Sequence, residues 1–264
     1  MDKKSDFALV GVLHLPPLPG APGARGDFEQ VMAHALQDAA ALKAGGIERC
    51  IIENFGDAPF RADSVQPHVP AMMAAIGHAV RTRFDMHVGI NILRNDAHAA
   101  MGAAVACGAT FIRVNVLIGA AWTDQGLVQG QAASLARYRR ALCGPGKGPL
   151  VYADVKVKHA VPAGEDDIGL LAVETVERGA ADGVIVTGVR TGSQADLDDV
   201  HRVRKAIGNH PIWVGSGVTE DTVSSVVALA DGAIVGTWLH HDGSIAAPID
   251  KDRVSALVGA SRSC

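Results

Sequence analysis

Short apolar stretches alternate with longer amphipathic segments along the whole chain. The apolar, β-branched runs predict strands at residues 7–13, 49–53, 87–91, 111–116, 150–155, 183–187, 211–215 and 232–236. The segments between them predict helices at 27–44, 65–83, 95–107, 126–142, 166–178, 196–207 and 219–229, and a last helix from about 250. Eight strand–helix units in 264 residues predict a single (β/α)8 TIM barrel, an α/β domain over residues 1–264. A doubly wound open sheet would more often carry GxGxxG after its first strand, and none stands there.

Composition and charge narrow the class of protein. The chain is 48% hydrophobic and only 4% aromatic, which favours tightly packed helices and strands. Its 24 basic and 28 acidic residues include no basic run, so no nucleic-acid partner is expected. Four scattered cysteines match no disulfide or metal framework, which fits a cytoplasmic protein. The first segment is interpreted as a strand and not as a signal peptide. No apolar run is long enough to span a membrane. A homo-oligomer is the default expectation for a barrel of this kind.

Polar residues gather where the predicted strands end. Because side chains alternate along a strand, residues of one parity in the fourth and fifth strands share the inward face. The inward polar residues at strand ends are His14, Glu53, Asn91, Arg113, Asn115, Asp154, Lys156, Lys158 and Thr187. The carboxyl ends of barrel strands form the active-site mouth in barrel enzymes, so we predict the site there. The alternative is a structural ion network, for example Glu53–Arg113 or Asp154–Lys156.

Glycine-rich loops follow the last predicted strands. In "IWVGSGVTED" the seventh strand stops at Gly215, Ser216 and Gly217, and the eighth is followed by Gly236 and Thr237. A third loop adds Gly188, Thr191 and Gly192. Exposed backbone N–H groups and a hydroxyl at these loops predict a phosphate site, the usual use of the last loops in barrels. Glu220 and Asp221 count against it if they turn inward from the first turn of the seventh helix.

Long motifs run in order from about residue 10 to the last strand. They are "GVLHLPPLPGAPG", "IIENFGDAPF", "GINILRNDA", "FIRVNVLIGAAWTDQGLVQG", "ADVKVKHA", "IVTGVRTGSQAD", "VGSGVTEDTV" and "ADGAIVGTWLHHDG". With these the chain resembles the BtpA (BtpA/SgcQ) family. The resemblance implies a ribulose-phosphate-binding-type barrel and a family named for a role in photosystem I biogenesis, with no agreed reaction. It favours Lys158 and His159 over Lys156, since "KHA" is typical of the family and lysine at 156 is not required.

The polar mouth suggests acid–base chemistry. Glu53 is the predicted general base, with a pKa raised by partial burial. Asp154 and Lys158 would form an acid–base couple, and a Schiff base on Lys158 is an alternative. The predicted catalytic residues are Glu53, Asp154, Lys156, Lys158 and His159.

Loops around the mouth supply candidates for substrate binding. Arg94 would clamp a carboxylate or a second phosphate, and Asn95 would cap the third helix. The loop "GAAWTDQGLVQG" is interpreted as a mobile lid, with a plain surface loop as the alternative. The predicted substrate-binding residues are His14, Asn54, Asp57, Asn91, Arg94, Asn95, Arg113, Asn115, Asp124 and Gln125.

These residues together predict an enzyme that acts on a small phosphorylated sugar or phosphoribosyl-type metabolite. The reaction would be an isomerase, lyase or glycosyl-bond step. The alternatives are a non-catalytic assembly factor and a flavin-binding barrel. No cofactor is expected, and Mg²⁺ held with the substrate phosphate remains an option. Its ligands would come from His14, Glu53, Asp57, Asp154 and His159, while His240 and His241 are interpreted as an exposed loop pair.

Overall fold

The computed structural model describes residues 7–188 and 195–263. The strands are β1 (Ala8–His14), β2 (Arg49–Glu53), β3 (His87–Asn91), β4 (Phe111–Val114), β5 (Ala120–Thr123), β6 (Gly126–Gln129), β7 (Leu150–Asp154), β8 (Ala160–Pro162), β9 (Gly183–Thr187), β10 (Ile212–Gly215) and β11 (Gly232–Val235). The α-helices are α1 (Phe28–Gly45), α2 (His68–Phe84), α3 (Ala97–Cys107), α4 (Ala132–Cys143), α5 (Ile168–Glu177), α6 (Leu197–Ile207), α7 (Val223–Val227) and α8 (Lys251–Arg262).

Eight of the strands close into a parallel barrel. The order around it is β1, β2, β3, β4, β7, β9, β10 and β11, and β11 pairs again with β1. Each barrel strand matches a predicted one to within two residues, so the (β/α)8 prediction is confirmed. The helices cover the outside, where the large apolar core lies between them and the strands.

Aspartates begin many of these helices. A side-chain oxygen accepts a backbone N–H of the first turn in each of these N-caps, which are Asp27, Asp96, Asp167, Asp196 and Asp250. The prediction of Asn95 as the cap of α3 is therefore wrong by one residue. Asp96 caps the helix and also accepts the N–H of Val65 at 2.9 Å, because its carboxylate has two oxygens to share.

Apolar and aromatic side chains fill the lower half of the barrel interior. They are Ala8, Val10, Val12, Ile51, Phe111, Tyr152, Ile185, Trp213 and Ile234. Tyr152 stacks on Trp213 with ring centroids 3.8 Å apart, and Phe111 meets Trp213 edge-on. Each of the three rings lies beside a glycine in register on the neighbouring strand: Gly89, Gly183 and Gly232. A Cβ at Gly89 would lie 2.2 Å from the Phe111 ring, so the missing side chain makes room for the aromatic plug.

The segment after β4 differs most from the prediction. Residues 126–142 were predicted as one helix, but α4 begins only at Ala132. Gly126–Gln129 instead pairs with Ala120–Thr123 in an antiparallel hairpin, which Ala160–Pro162 extends to three strands. Alternating side chains explain the difference, because Ala121 and Val128 pack down on Val116 and Val157. The predicted lid is thus an ordered hairpin; whether it moves stays a prediction.

The seventh helix is shorter than predicted. It spans only Val223–Val227, so Glu220 and Asp221 precede it in a turn. Both are exposed and neither lines the barrel mouth, which removes the objection they raised against an anion site.

No helix within residues 7–188 and 195–263 is long and apolar enough to cross a bilayer. The cytoplasmic location and the homo-oligomer stay predictions.

Candidate functional site

A buried ion triad crosses the carboxyl-terminal mouth of the barrel. Arg113 of β4 donates to Glu53 of β2 at 3.1 Å and grips Asp154 of β7 with two parallel bonds of 3.1 and 3.0 Å. All three side chains are buried. The predicted Glu53–Arg113 pair is present, whereas the predicted Asp154–Lys156 pair is wrong. Asp154 is satisfied by Arg113, and Lys156 points away from the mouth to Asp166 at 2.6 Å.

The charged groups around Glu53 set the pKa of its carboxyl group. Desolvation is the largest influence and would raise the pKa of Glu53. The charge of Arg113, with that of Lys158 and the hydrogen bond from Asn91, outweighs it, so the pKa lies below its usual value. The sequence-based expectation of a raised pKa is therefore wrong, because it did not count the cations around the carboxylate. Glu53 is ionised at neutral pH.

Two amides complete the polar layer. Asn91 donates to Glu53 Oε1 at 3.1 Å, and Asn115 donates to Asp154 Oδ2 at 2.9 Å. Both oxygens of Asp154 are consequently engaged, whereas both hydrogen bonds to Glu53 within the described chain end on Oε1. The buried Oδ1 of Asn115 is also left without a partner. The groups free to meet a ligand are thus Glu53 Oε2 and the Asn115 carbonyl.

Two cavities meet at this layer. The first, of about 210 Å³, is lined by His14 and by the loops after β10 and β11, namely Gly215, Ser216, Gly217, Thr219, Gly236 and Thr237. The second, of about 230 Å³, is lined by Phe55, Phe60, Asn91, Arg94, Asn115, Asp124 and His159. Glu53, Arg113 and Lys158 line both. A ligand spanning the two cavities would pass directly over these three side chains.

The first cavity has the features of an anion cradle. Among the described residues, no partner accepts the backbone N–H of Ser216, Gly217, Gly236 or Thr237. The buried Oγ of Ser216 is unpartnered as well. Ser216 has φ 137°, which is uncommon for a residue other than glycine, and Gly217 has φ 65°, where the missing side chain removes the steric penalty. These four residues are half-buried and line the cavity, so an oxyanion bound there would have unpaired donors close by.

Of the three residues predicted in the third phosphate loop, only Gly188 lies within the described part of the chain. Gly188 is buried and does not line the first cavity. Thr191 and Gly192 lie outside the described residues.

Two histidines lie side by side behind the cradle. The ring of His14 is 5.6 Å from that of His240 and meets Phe55 edge-on. Burial is the main cause that lowers the pKa of His14 to about 4, although Glu53 opposes it, so His14 is neutral at pH 7. The prediction of an exposed His240–His241 pair is half wrong. His240 is fully buried and bonded to the Ala247 carbonyl, whereas His241 is exposed and pairs with Asp250.

The loops after β1 and β2 hold each other and set the position of His14 and Glu53. Leu15 donates its N–H to the Glu53 carbonyl at 2.9 Å, and Gly56 donates back to the Leu15 carbonyl at 3.0 Å. Asp57 accepts the N–H of Leu18 and the amide of Asn54. Asn54 in turn accepts the N–H of Leu93 at 2.8 Å. Asn54 and Asp57, predicted to bind substrate, join three loops to one another and line neither cavity.

Asn95 has a similar role, because its amide binds both the N–H and the carbonyl of Val116 and so ends β4. Asp124 lines the second cavity, whereas its neighbour Gln125, which donates to the Asp124 carboxylate, does not. Arg94 lines that cavity and donates to the Lys158 carbonyl at 2.7 Å. His159 follows with φ 56° and lines the same cavity.

No group of three or more His, Cys, Asp or Glu side chains arranged to hold a metal occurs in the described part of the chain. Arg113 forms ion pairs with the carboxylates of Glu53 and Asp154, and the carboxylate of Asp57 accepts the N–H of Leu18. A protein-only metal centre built from the predicted ligands therefore does not fit the described geometry. Mg²⁺ held jointly with a ligand phosphate stays a prediction.

The family follows from comparison with known proteins. The model of the BtpA family matches residues 5–263. The chain belongs to the BtpA family. It is 43% identical to the photosystem I biogenesis protein BtpA of Synechocystis sp. over 96% of this chain and 87% of that protein. It is 42% identical to an uncharacterized protein of Pyrococcus furiosus, over 97% and 96% of the two chains.

Solved structures resemble this BtpA-family protein in fold. The phosphoribosyl anthranilate isomerase of Thermus thermophilus superposes with a TM-score of 0.55 at 12% identity, over 97% of this chain and 99% of the other. At that identity the likeness shows the TIM barrel alone.

Sequence reasoning missed the aromatic wall and the buried histidine of this site. Phe55 and Phe60 line the second cavity, and the phrase "ENFGDAPF" contained both beside the predicted Glu53. Because the chain is only 4% aromatic, two phenylalanines within one short motif were a signal that could have identified this wall. Nothing in the local pattern separates the buried His240 from the exposed His241.

Proposed function

We propose that this BtpA-family protein is an enzyme that binds a phosphorylated sugar or phosphoribosyl-type metabolite and turns it over without a redox cofactor. The phosphate would occupy the first cavity, and the remainder of the molecule would extend into the second. The observation that carries the proposal is the set of unpaired N–H groups at Ser216, Gly217, Gly236 and Thr237 beside the unpartnered Ser216 hydroxyl. An oxyanion with several acceptor oxygens pairs with such donors at no cost in rearrangement.

The junction of the cavities supplies the proton chemistry. Glu53 is ionised and keeps Oε2 free, which suits a general base. Burial, with help from the charge of Arg113, lowers the pKa of Lys158, so its ammonium releases a proton more readily than an exposed lysine. Asp154 is fully engaged by Arg113 and Asn115, so we assign it the positioning of Arg113 and no proton transfer.

The second cavity would hold the part of the ligand beyond the phosphate. Arg94 would provide a donor and the unpartnered Oδ1 of Asn115 an acceptor, and Phe55 and Phe60 would provide an apolar wall. The comparisons add support of a general kind, since the Thermus thermophilus enzyme that shares the fold acts, by its name, on a phosphoribosyl compound.

The test is ligand-dependent thermal stability. We expect ribose 5-phosphate to raise the Tm and ribose not to, because only the former places an oxyanion in the cradle. At a ligand concentration a hundredfold above Kd, the stabilisation would be about 2.7 kcal/mol. Stabilisation by neutral sugars, with no effect of any phosphorylated compound in a wider panel, would overturn the proposal.

A matched pair of glycine variants locates the effect. A Cβ at Gly236 would lie 2.6 Å from the His14 ring and crowd the cradle, whereas one at Gly259 on α8 meets nothing within 4 Å. Gly236→Ala should reduce the phosphate-dependent shift in Tm, and Gly259→Ala should keep it.

A non-catalytic role is the second candidate, favoured by the name of the Synechocystis relative. The relative from Pyrococcus furiosus, 42% identical to this chain, carries no such name, so the name of one relative does not decide the function of the family. Complementation distinguishes the two functions. A scaffold should tolerate Glu53→Gln and Lys158→Met in the cell, whereas an enzyme should not.

A further inference from the structure

Lys158 is an ionisable side chain at the mouth whose amine has no hydrogen-bond or ion-pair partner among the described residues. It follows β7, is partly buried and lines both cavities. Its Nζ forms no hydrogen bond or ion pair with any described residue, although two carboxylates lie in the same layer. Arg113 occupies those carboxylates, which frees the amine from a structural role.

Lys156 offers an internal comparison. It is only two residues away, yet its Nζ lies 2.6 Å from Asp166 and it lines neither of the two cavities. The backbone at Lys158 is also fixed, because Arg94 donates to its carbonyl at 2.7 Å. One lysine is thus a surface ion-pair partner, and the other is an anchored amine facing the ligand space.

We infer that Lys158 is a nucleophile that forms an iminium with the carbonyl group of an open-chain keto or aldehyde sugar phosphate bound across the two cavities. The inference rests on the proposed function for the position of the phosphate. With the phosphate in the cradle, the carbon chain would pass over Glu53, Arg113 and Lys158, the three residues common to both cavities.

The electrostatic surroundings support an amine of this kind. Burial is the main cause that lowers the pKa of Lys158, and Arg113 lowers it further, whereas Glu53 and Asp154 act in the opposite direction. A lower pKa increases the fraction of neutral amine, which is the nucleophilic form.

The step balances without an added reagent. The Nζ lone pair attacks the carbonyl carbon, the C=O electron pair moves to oxygen, and a proton passes from nitrogen to that oxygen. The nitrogen lone pair then expels the hydroxyl group, which leaves as water with the proton that the Lys158 ammonium would first have given to Oε2 of Glu53. One lysine ammonium and one carbonyl thereby give one iminium and one water, with charge conserved. Oε2 of Glu53 would accept the proton from the adjacent carbon, whose electrons the iminium takes up.

Reductive trapping tests the inference. The intact protein is incubated with dihydroxyacetone phosphate, ribulose 5-phosphate or dihydroxyacetone, reduced with sodium borohydride, digested and mapped by mass spectrometry. We expect Lys158 to gain the mass of the phosphorylated probe less one oxygen atom. Lys158→Arg should lose this adduct, and the matched Lys156→Arg should keep it.

The outcomes separate the two hypotheses. An adduct absent from the Lys158 peptide with every probe, or spread over surface lysines and unchanged in Lys158→Arg, overturns the inference. An adduct at Lys158 that forms equally well with unphosphorylated dihydroxyacetone keeps the inference and argues against the phosphate cradle. A phosphate-dependent Tm shift without trapping keeps the proposed function and removes the iminium.

Discussion

The barrel interior has two layers of opposite character on the same strands. Ile51 and Glu53 are two residues apart on β2, as are Phe111 and Arg113 on β4 and Tyr152 and Asp154 on β7. All six point inward, because side chains two apart share a face. The lower three belong to an aromatic and aliphatic plug, and the upper three belong to the polar layer at the mouth. The same alternation of side chains therefore supplies both a stabilising apolar layer and, above it, the polar layer of the candidate site.

The largest loss of stability is expected from a substitution in the ion triad of Glu53, Arg113 and Asp154. Arg113→Met keeps much of the side-chain volume but leaves two buried carboxylates without a cation. We expect the free energy of unfolding to fall by about 5 kcal/mol, the upper end of what breaking a buried ion pair costs. Urea denaturation measures the loss.

Neutralising the carboxylates sharpens this prediction. Adding Glu53→Gln and Asp154→Asn to Arg113→Met should restore much of the stability without restoring ligand-dependent stabilisation. A single Arg113→Met variant with wild-type stability would show that the triad is not buried as a unit.

A substitution in the apolar lower layer should reduce stability without reducing ligand binding. Trp213→Ala removes the ring that stacks on Tyr152, and we expect a loss of about 4 kcal/mol from the cavity it leaves. Equilibrium binding of ribose 5-phosphate at low temperature should be retained, since the cradle lies in the layer above. The exposed Trp122, at 58% exposure, is the matched control, and Trp122→Ala should change stability by about 0.5 kcal/mol or less. Loss of binding in folded Trp213→Ala would show that the two layers are coupled.

The smallest of the three effects concerns His14 at the edge of the polar layer. Its pKa is about 4 in the folded protein against 6.5 for an unperturbed histidine, so the unfolded chain binds the proton more tightly. The stabilisation is complete above pH 6.5 and is lost as the pH falls toward 4, by about 3 kcal/mol in all. Denaturation at a series of pH values should show this slope, and His14→Gln should flatten it. His78→Gln, on the exposed face of α2, should not; equal slopes in wild type and His14→Gln would contradict the assignment.

Much of the position of the candidate site in the fold could be predicted from the sequence. Strand-end polar residues and glycine loops identify one mouth of a barrel without coordinates. The roles within that mouth could not be predicted, because they depend on which partners are within reach. Asn54, Asp57 and Asn95 carry polar groups that a ligand could use, yet backbone N–H groups from distant loops take them up.

The hairpin shows the same limit for secondary structure. Residues 126–129 have a composition that a helix would tolerate, and only the pairing with Ala120–Thr123 and Ala160–Pro162 makes them a strand. Strand pairing joins residues far apart along the chain, so a local window does not contain it.

The order of apolar runs and amphipathic segments by itself determined the closed parallel barrel, since the periods of 2 and 3.6 residues are local properties of the backbone. The tertiary structure alone decided that Arg113 binds both carboxylates, that the pKa of Glu53 is lowered although burial would raise it, and that the Lys158 amine has no hydrogen-bond or ion-pair partner among the described residues. Those outcomes depend on distances of a few ångströms between side chains of different strands, because the Coulomb energy of buried charges changes steeply over such distances. The spacing of residues along the sequence does not give these distances.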